Sequence, residues 1–314
     1  MNPIVLTLVS GLTVISLAPL ATGLVRRFKA MLQGRRGAPV LLPYWTIATL
    51  LRKEAVISSS TSWVFRTAPF LVLACALVSA FVLPLASRGG AAAPLSHLAA
   101  VAGIWMLGAV FLVLGAIDSA SAFGGMGASR EMTIAAFLEP AIIVTLAAFA
   151  LEAGSVTVDG MMAVAGAGLV ERPWLLPAVA ALALSALGEN ARYPVDNPAT
   201  HLELTMVHEA MVLEYSGPAL ALLELASMIK LAVFALLVAN FLVPAGLATP
   251  GSGPLALLAA PVAAAAKLAV GMAALAFLES SMAKLRFYGL PEYFFGALFL
   301  GLTSLALGLI VGWV

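Results

Sequence analysis

Gly188-Glu-Asn-Ala-Arg-Tyr-Pro-Val-Asp-Asn-Pro-Ala-Thr-His-Leu-Glu-Leu-Thr-Met-Val-His-Glu-Ala-Met-Val-Leu-Glu-Tyr-Ser-Gly217 is a thirty-residue polar stretch in an apolar chain. It carries Glu189, Asp196, Glu203, Glu209 and Glu214, five of the chain's fifteen carboxylates. Two of the three histidines, His201 and His208, lie in it as well. Apolar spans flank it. The whole sequence is 62% hydrophobic and 10% charged, where soluble domains carry about 25% charged residues. The stretch is therefore a loop between membrane spans, and its charges need a reason to sit beside lipid. In lipid each backbone polar group must pair within the protein, and apolar runs of this length achieve that as helices. The fold class is an all-α integral membrane protein, a single transmembrane domain over 1–314.

Working outward, a crossing helix needs about 20 mostly apolar residues. Eight runs are candidates: 4–24, 67–87, 98–117, 132–152, 173–188, 222–244, 255–278 and 293–313. The fifth is weakest, with sixteen uncharged residues between Arg172 and Glu189, and should borrow a turn at either side. Twelve of the sixteen Lys and Arg fall in the loops after helices one, three, five and seven; Lys230 and Lys267 fall inside spans. Only Arg88 and Arg172 lie on the opposite side. The positive-inside rule then makes loops 25–66, 118–131, 189–221 and 279–292 cytoplasmic and puts both termini outside. Met1–Gly23 holds no basic residue, while Arg26, Arg27 and Lys29 follow it. That is the reverse of a signal peptide, so the first helix is expected to be retained. Cys75 is the sole cysteine, which excludes an internal disulfide and any cysteine-held zinc, iron–sulfur or nickel–iron centre. Redox metal chemistry would belong to a partner.

Within loop one, Tyr44, Ile47, Ala48 and Leu51 follow helical spacing after Pro43, which reads as an amphipathic helix in the membrane interface or packed on the bundle. In loop three, Gly124, Gly125 and Gly127 lack the Gly-Lys-Ser/Thr of a phosphate cradle. They suggest instead a tight turn presenting Asp118, Arg130 and Glu131 at the surface. In loop five, Asn197-Pro198 is a helix start, giving a helix from about 198 to 214 with Glu203 and Glu214 on one face and His201 and His208 on another. His208-Glu209 lacks the second histidine of a zinc-protease helix, because position 212 is Val212. Clustered carboxylates repel and exchange protons readily, so the loop reads as a proton antechamber or a charged docking surface. Glu139, Lys230 and Lys267 lie within spans, where a charge is costly and is a functional candidate by default. Pro140, next to Glu139, leaves a backbone carbonyl without its helical partner.

Arg35-Arg36-Gly37, Trp63-Val-Phe-Arg66 with Pro69, and Asp118, Ser121 and Phe123 with Gly127-Ala-Ser-Arg-Glu131 form one set of motifs. Glu139-Pro140, Glu189, Pro194, Asp196, Glu214-Tyr-Ser-Gly217, Lys230, Lys267 and Glu279 form another. Together they resemble the H subunit (subunit 1) family of respiratory complex I, and more closely its counterpart in formate hydrogenlyase and hydrogenase-4 type energy-converting hydrogenases. The resemblance covers nearly the whole chain. It departs at Ala38-Pro39, where the family has Gly-Pro, and in a longer loop five. The resemblance implies a non-catalytic anchoring and coupling subunit in a bacterial or archaeal plasma membrane. Its partners would be a hydrogenase-like large subunit, a small iron–sulfur subunit and antiporter-like subunits that translocate H⁺ or Na⁺. The iron–sulfur clusters and the nickel–iron centre would lie in those partners, with no cofactor in this chain. The coupling candidates are Glu139, Glu189, Asp196, Glu203, Glu209, Glu214, Lys230, Lys267 and Glu279. The docking candidates are Arg35, Arg36, Glu54, Asp118, Arg130, Glu131, Arg192 and Tyr215. A quinone-binding subunit of a complex I relative and a stand-alone ion transporter are the alternatives.

Overall fold

The computed structural model describes residues 2–165, 169, 171–196, 206–282, 285 and 289–312. The helices among them are α1 Pro3–Leu32, α2 Leu42–Leu51, α3 Trp63–Val82, α4 Leu98–Asp118, α5 Ala122–Ala153, α6 Val158–Ala165, α7 Leu176–Glu189, α8 His208–Val212, α9 Gly217–Leu242, α10 Pro254–Ser281 and α11 Leu290–Gly312. No sheet forms among these residues; Ser87 with Ala248 and His97 with Thr157 make isolated bridges. Polar side chains start several helices. Asn2, Ser62, His97 and Ser121 each accept a hydrogen bond from a first-turn amide, satisfying donors that a helix start leaves over.

Among the described residues, seven helices are long and apolar enough to cross a membrane: α1, α3, α4, α5, α9, α10 and α11. The expected fifth span is shorter, an apolar stretch Pro173–Glu189. It keeps the expected bounds, a 3₁₀ turn at Pro173–Leu175 running into α7, and borrows no further turn before stopping at Glu189. The most enclosed helix is α9, with Ile229, Ala232, Val233, Phe234, Leu236, Leu237 and Phe241 fully buried. It touches α1, α2, α3, α7 and α10, while α4 packs between α3 and α5, and α11 between α5 and α7. Aromatic pairs tie α9 to the far wall: Phe241 stacks on Phe149 of α5 at 4.0 Å and Phe234 lies 4.4 Å from Trp105 of α4.

Three expectations change. Residues 122–131 are the first turns of α5, so the loop-three glycines are helical, and the residue with positive φ in the turn is Ala120. Gly124 and Gly127 serve close packing, while Gly125 faces open space. A Cβ on Gly127 would lie 2.9 Å from the Val207 carbonyl oxygen of loop five. In α2, Tyr44 and Ile47 are partly covered, Ala48 and Leu51 are exposed, and Leu50 takes the inner face instead. This helix packs on α1 and α9, with the Tyr44 hydroxyl donating to the Ser16 carbonyl, while Leu42 and Trp45 face outward. Loop five is not helical at Met206-Val207, and α8 is a short helix ending at Val212. Residues 198–205 of the expected helix, with His201 and Glu203, fall outside the described residues, and Leu213-Glu214 is a turn rather than helix.

Candidate functional site

Loops one and five, the N-terminal end of α9 and the C-terminal ends of α1 and α10 enclose a chamber of about 630 Å³. Its wall carries Arg26, Lys29, Arg35, Arg36, Arg192, Asp196, His208, Glu209, Glu224 and Glu279. Glu279, its side chain 2% exposed, accepts from Lys29 of α1 at 3.2 Å and Arg192 of loop five at 3.4 Å. One buried carboxylate thus clamps three segments that are far apart in sequence. The Lys29 ammonium also lies 5.0 Å from the centre of the Tyr193 ring. Burial lowers the Arg192 guanidinium pKa and the Glu279 carboxylate pulls it back up.

Asp196 is 2% exposed and accepts from the backbone N–H groups of Val207 and His208 at 3.3 and 3.4 Å. It therefore stitches the two halves of loop five and holds the start of α8. Arg130 does the same from α5, donating to the Met206 carbonyl at 2.8 Å. These bonds place the His208 ring between the chamber and a second cavity of about 70 Å³, since it lines both. Burial first, and the Lys230 ammonium second, press the His208 imidazole down to about 4, so at neutral pH it carries no charge.

The second cavity is lined by Glu131, Glu189 and Lys230, with Cys75 and Trp105 among its apolar wall. Lys230 of α9 and Glu189 at the end of α7 form an ion pair at 2.7 Å. A charge within a span is tolerated when another charge meets it, and α7 stops at Glu189 to provide that meeting. A third cavity, about 20 Å³, adjoins the second through shared walls at Trp105, Ala109, Glu131 and Glu189, and reaches Glu139. Glu131, expected at the surface, instead lines both inner cavities.

The other sequence candidates lie apart. Asp118 accepts from the Ser62 and Phe65 amides at 2.8 and 3.0 Å, fixing the start of α3 against α4. Tyr215 stacks on Phe65 at 4.0 Å. Glu54 and Glu214 are exposed, and Arg35 and Arg36 are exposed at the chamber rim. Lys267 donates to Asn240 at 2.7 Å, and Asn240 donates to the carbonyls of Pro84 and Leu85. That set lies at the end of the bundle opposite the chamber, because Asn240 is two residues from the end of α9. Sequence reasoning missed Lys29, Glu224 and Trp105. Lys29 entered only as a topological charge. The signal for Glu224 was available, as a carboxylate within an apolar helix start.

A sequence model of the family described as NADH dehydrogenase matches residues 4–311. The chain belongs to this family. Formate hydrogenlyase subunit 4 of Escherichia coli strain K12 is 30% identical over 303 residues, covering 95% of this chain and 97% of that one. Hydrogenase-4 component C of the same organism is 31% identical, over 77% and 76% of the two chains. The H subunit of NADH-quinone oxidoreductase from Bordetella avium strain 197N is 29% identical, over 62% and 58%. Among solved structures, the membrane-bound sulfane sulfur reductase, an archaeal respiratory membrane complex, contains a chain that superposes with a TM-score of 0.82. That match spans 96% of this chain and 98% of the other at 14% identity, so the fold is shared. In this chain loop five roofs the chamber, and Glu131, Glu139 and Glu189 line the inner cavities.

Proposed function

We propose that this chain is the membrane-anchoring and coupling subunit of a complex I-like, energy-converting hydrogenase-type oxidoreductase. It links a peripheral redox module, seated on loops one, three and five, to subunits that translocate protons or sodium ions. The names of its relatives support membership in such a complex. The observation that carries the coupling role is the succession of three adjoining cavities from the charged chamber to Glu139. Along it stand Asp196, His208, Glu131, the Glu189–Lys230 pair and Glu139. Carboxylates crowded into a poorly solvated site relieve their repulsion by binding protons, which gives the row the capacity to pass them. A change in charge or loop position at the chamber, imposed by redox turnover above it, would alter the occupancy of the row. The chamber wall carries charges from every side, which suits water and ions better than the isoprenoid tail of a quinone.

The test is the assembled complex in sealed vesicles, with redox turnover and ion uptake measured together. Glu139→Gln and Lys230→Met should each leave assembly and turnover near normal and reduce the ions moved per turnover severalfold. Normal coupling in both variants would make these groups structural and end the coupling reading.

A further inference from the structure

We propose that Trp105 holds an ordered water between Glu131, Glu189 and Glu139, and that this water is the link by which a proton reaches Glu139. The proposal rests on the coupling role above and assigns a positioning residue to it.

Glu131 and Glu139 share α5 eight residues apart, a rise of roughly 12 Å between their backbones, and both side chains reach the same small cavity. Proton transfer requires heavy atoms within about 3 Å of one another, or a water between them. The cavity among Glu131, Glu139, Glu189 and Trp105 measures about 20 Å³. A water needs roughly 10–15 Å³ and two to four polar partners, so the space suits one water. Carboxylates accept hydrogen bonds, so a water among them donates both its hydrogens and its oxygen is left wanting a donor.

Trp105 is the donor at hand. It is 7% exposed, and its indole N–H is buried with no acceptor among the described residues. A buried N–H without an acceptor is rare and marks a missing partner. The ring lines both inner cavities and is held against Phe234 at 4.4 Å, 36° between planes. An indole nitrogen donates and does not accept, so Trp105 passes no proton itself. Its bond to the water oxygen would turn both water hydrogens toward the carboxylates. In the transfer step the carboxylic acid of Glu131 or Glu189 gives its proton to the water oxygen, and the water gives one of its own to the Glu139 carboxylate. One proton moves, the water is restored, and no other reactant is consumed.

The experiment uses the assembled complex in sealed vesicles, comparing Trp105→Phe with Glu139→Gln. Phenylalanine keeps a ring against Phe234 and removes the N–H. Assembly and redox turnover should stay normal while the rate of ion uptake falls roughly fivefold, the effect of one net hydrogen bond. Cryo-electron density of the unmodified complex should show a water within hydrogen-bond distance of Trp105 Nε1, which decides the matter should Trp105→Phe assemble poorly. Normal uptake in Trp105→Phe with Glu139→Gln uncoupled, or density with no water at Nε1, overturns the water site and leaves the coupling role standing. Normal uptake in both variants overturns the coupling role itself.

Discussion

Replacing Glu279 by Gln removes one negative charge from between two cations and leaves the shape almost unchanged. At an effective dielectric of about 20, unit charges at 3.2 and 3.4 Å attract by about 5 kcal/mol each. Desolvation of a side chain only 2% exposed offsets much of that gross attraction. Removing one partner of a buried pair nonetheless costs about 3–5 kcal/mol, because the charge left behind has already lost its water. Lys29 is the less affected cation. Its side chain is 22% exposed to the chamber and it keeps the Tyr193 ring, a contact worth about 0.5–1 kcal/mol. Arg192, 15% exposed, keeps only the longer-range attraction of the Glu224 carboxylate across the chamber wall. The strain therefore falls on loop five from Asn190 to Asp196. Hydrogen exchange of these amides in the assembled complex reads the local opening free energy directly. A loss of about 3 kcal/mol raises exchange roughly a hundredfold or more. The Arg192→Gln and Glu279→Gln pair should be strongly non-additive, since both remove the same bond. Exchange within a factor of three of normal in Glu279→Gln, or simple additivity, would refute the clamp.

Two further outcomes are expected. Gly23→Ala should destabilise the joint between α1 and loop one, because its Cβ would collide with the Val40 carbonyl oxygen. The overpacking cost, about 1–3 kcal/mol, outweighs the helix-propensity gain of about 1 kcal/mol, and exchange at residues 37–40 should rise. His208 should stay neutral on titration from pH 8 to pH 5, followed by its imidazole carbon resonances in the assembled complex. Its folded value of about 4 lies below the ordinary 6.5. The unfolded chain therefore binds the proton first as pH falls, and the stability due to His208 is present above pH 6.5 and lost between there and about 4, at most about 3 kcal/mol. A His208 midpoint near 6.5 would contradict its burial beside Lys230.

The membrane class and seven of the eight expected spans were legible because they depend on length and composition alone, which lipid enforces without reference to neighbours. Element boundaries were less so. Gly124, Gly125 and Gly127 read as a turn because isolated glycine predicts backbone freedom, yet Gly127 is small so that Val207 can approach. That requirement comes from loop five, far along the chain, and no local pattern encodes it. The same holds for Glu131, whose place beside Lys230 and Glu189 depends on α5, α7 and α9 meeting. Trp105 was invisible for another reason: an aromatic residue at helical spacing is indistinguishable from ordinary core until its N–H is seen to lack an acceptor among the described residues.

The acidic loop drew attention because its carboxylates are near one another in sequence, but they occupy different physical situations. Asp196 is committed to two amides, and Glu279, outside the loop, to two cations. A carboxylate held by fixed donors is stabilised in one protonation state and makes a poor carrier. Asp118, bound to the Ser62 and Phe65 amides, belongs with them. Glu131 and Glu139 face cavities, and Glu189 answers to the single Lys230 ammonium at a cavity wall. These groups face space through which water could reach them. On the proposed coupling role, loop five builds and latches the chamber, and transfer would fall to residues of α5, α7 and α9. Asp196→Asn should accordingly disturb loop order before it disturbs ion uptake, the opposite ranking to Glu139→Gln.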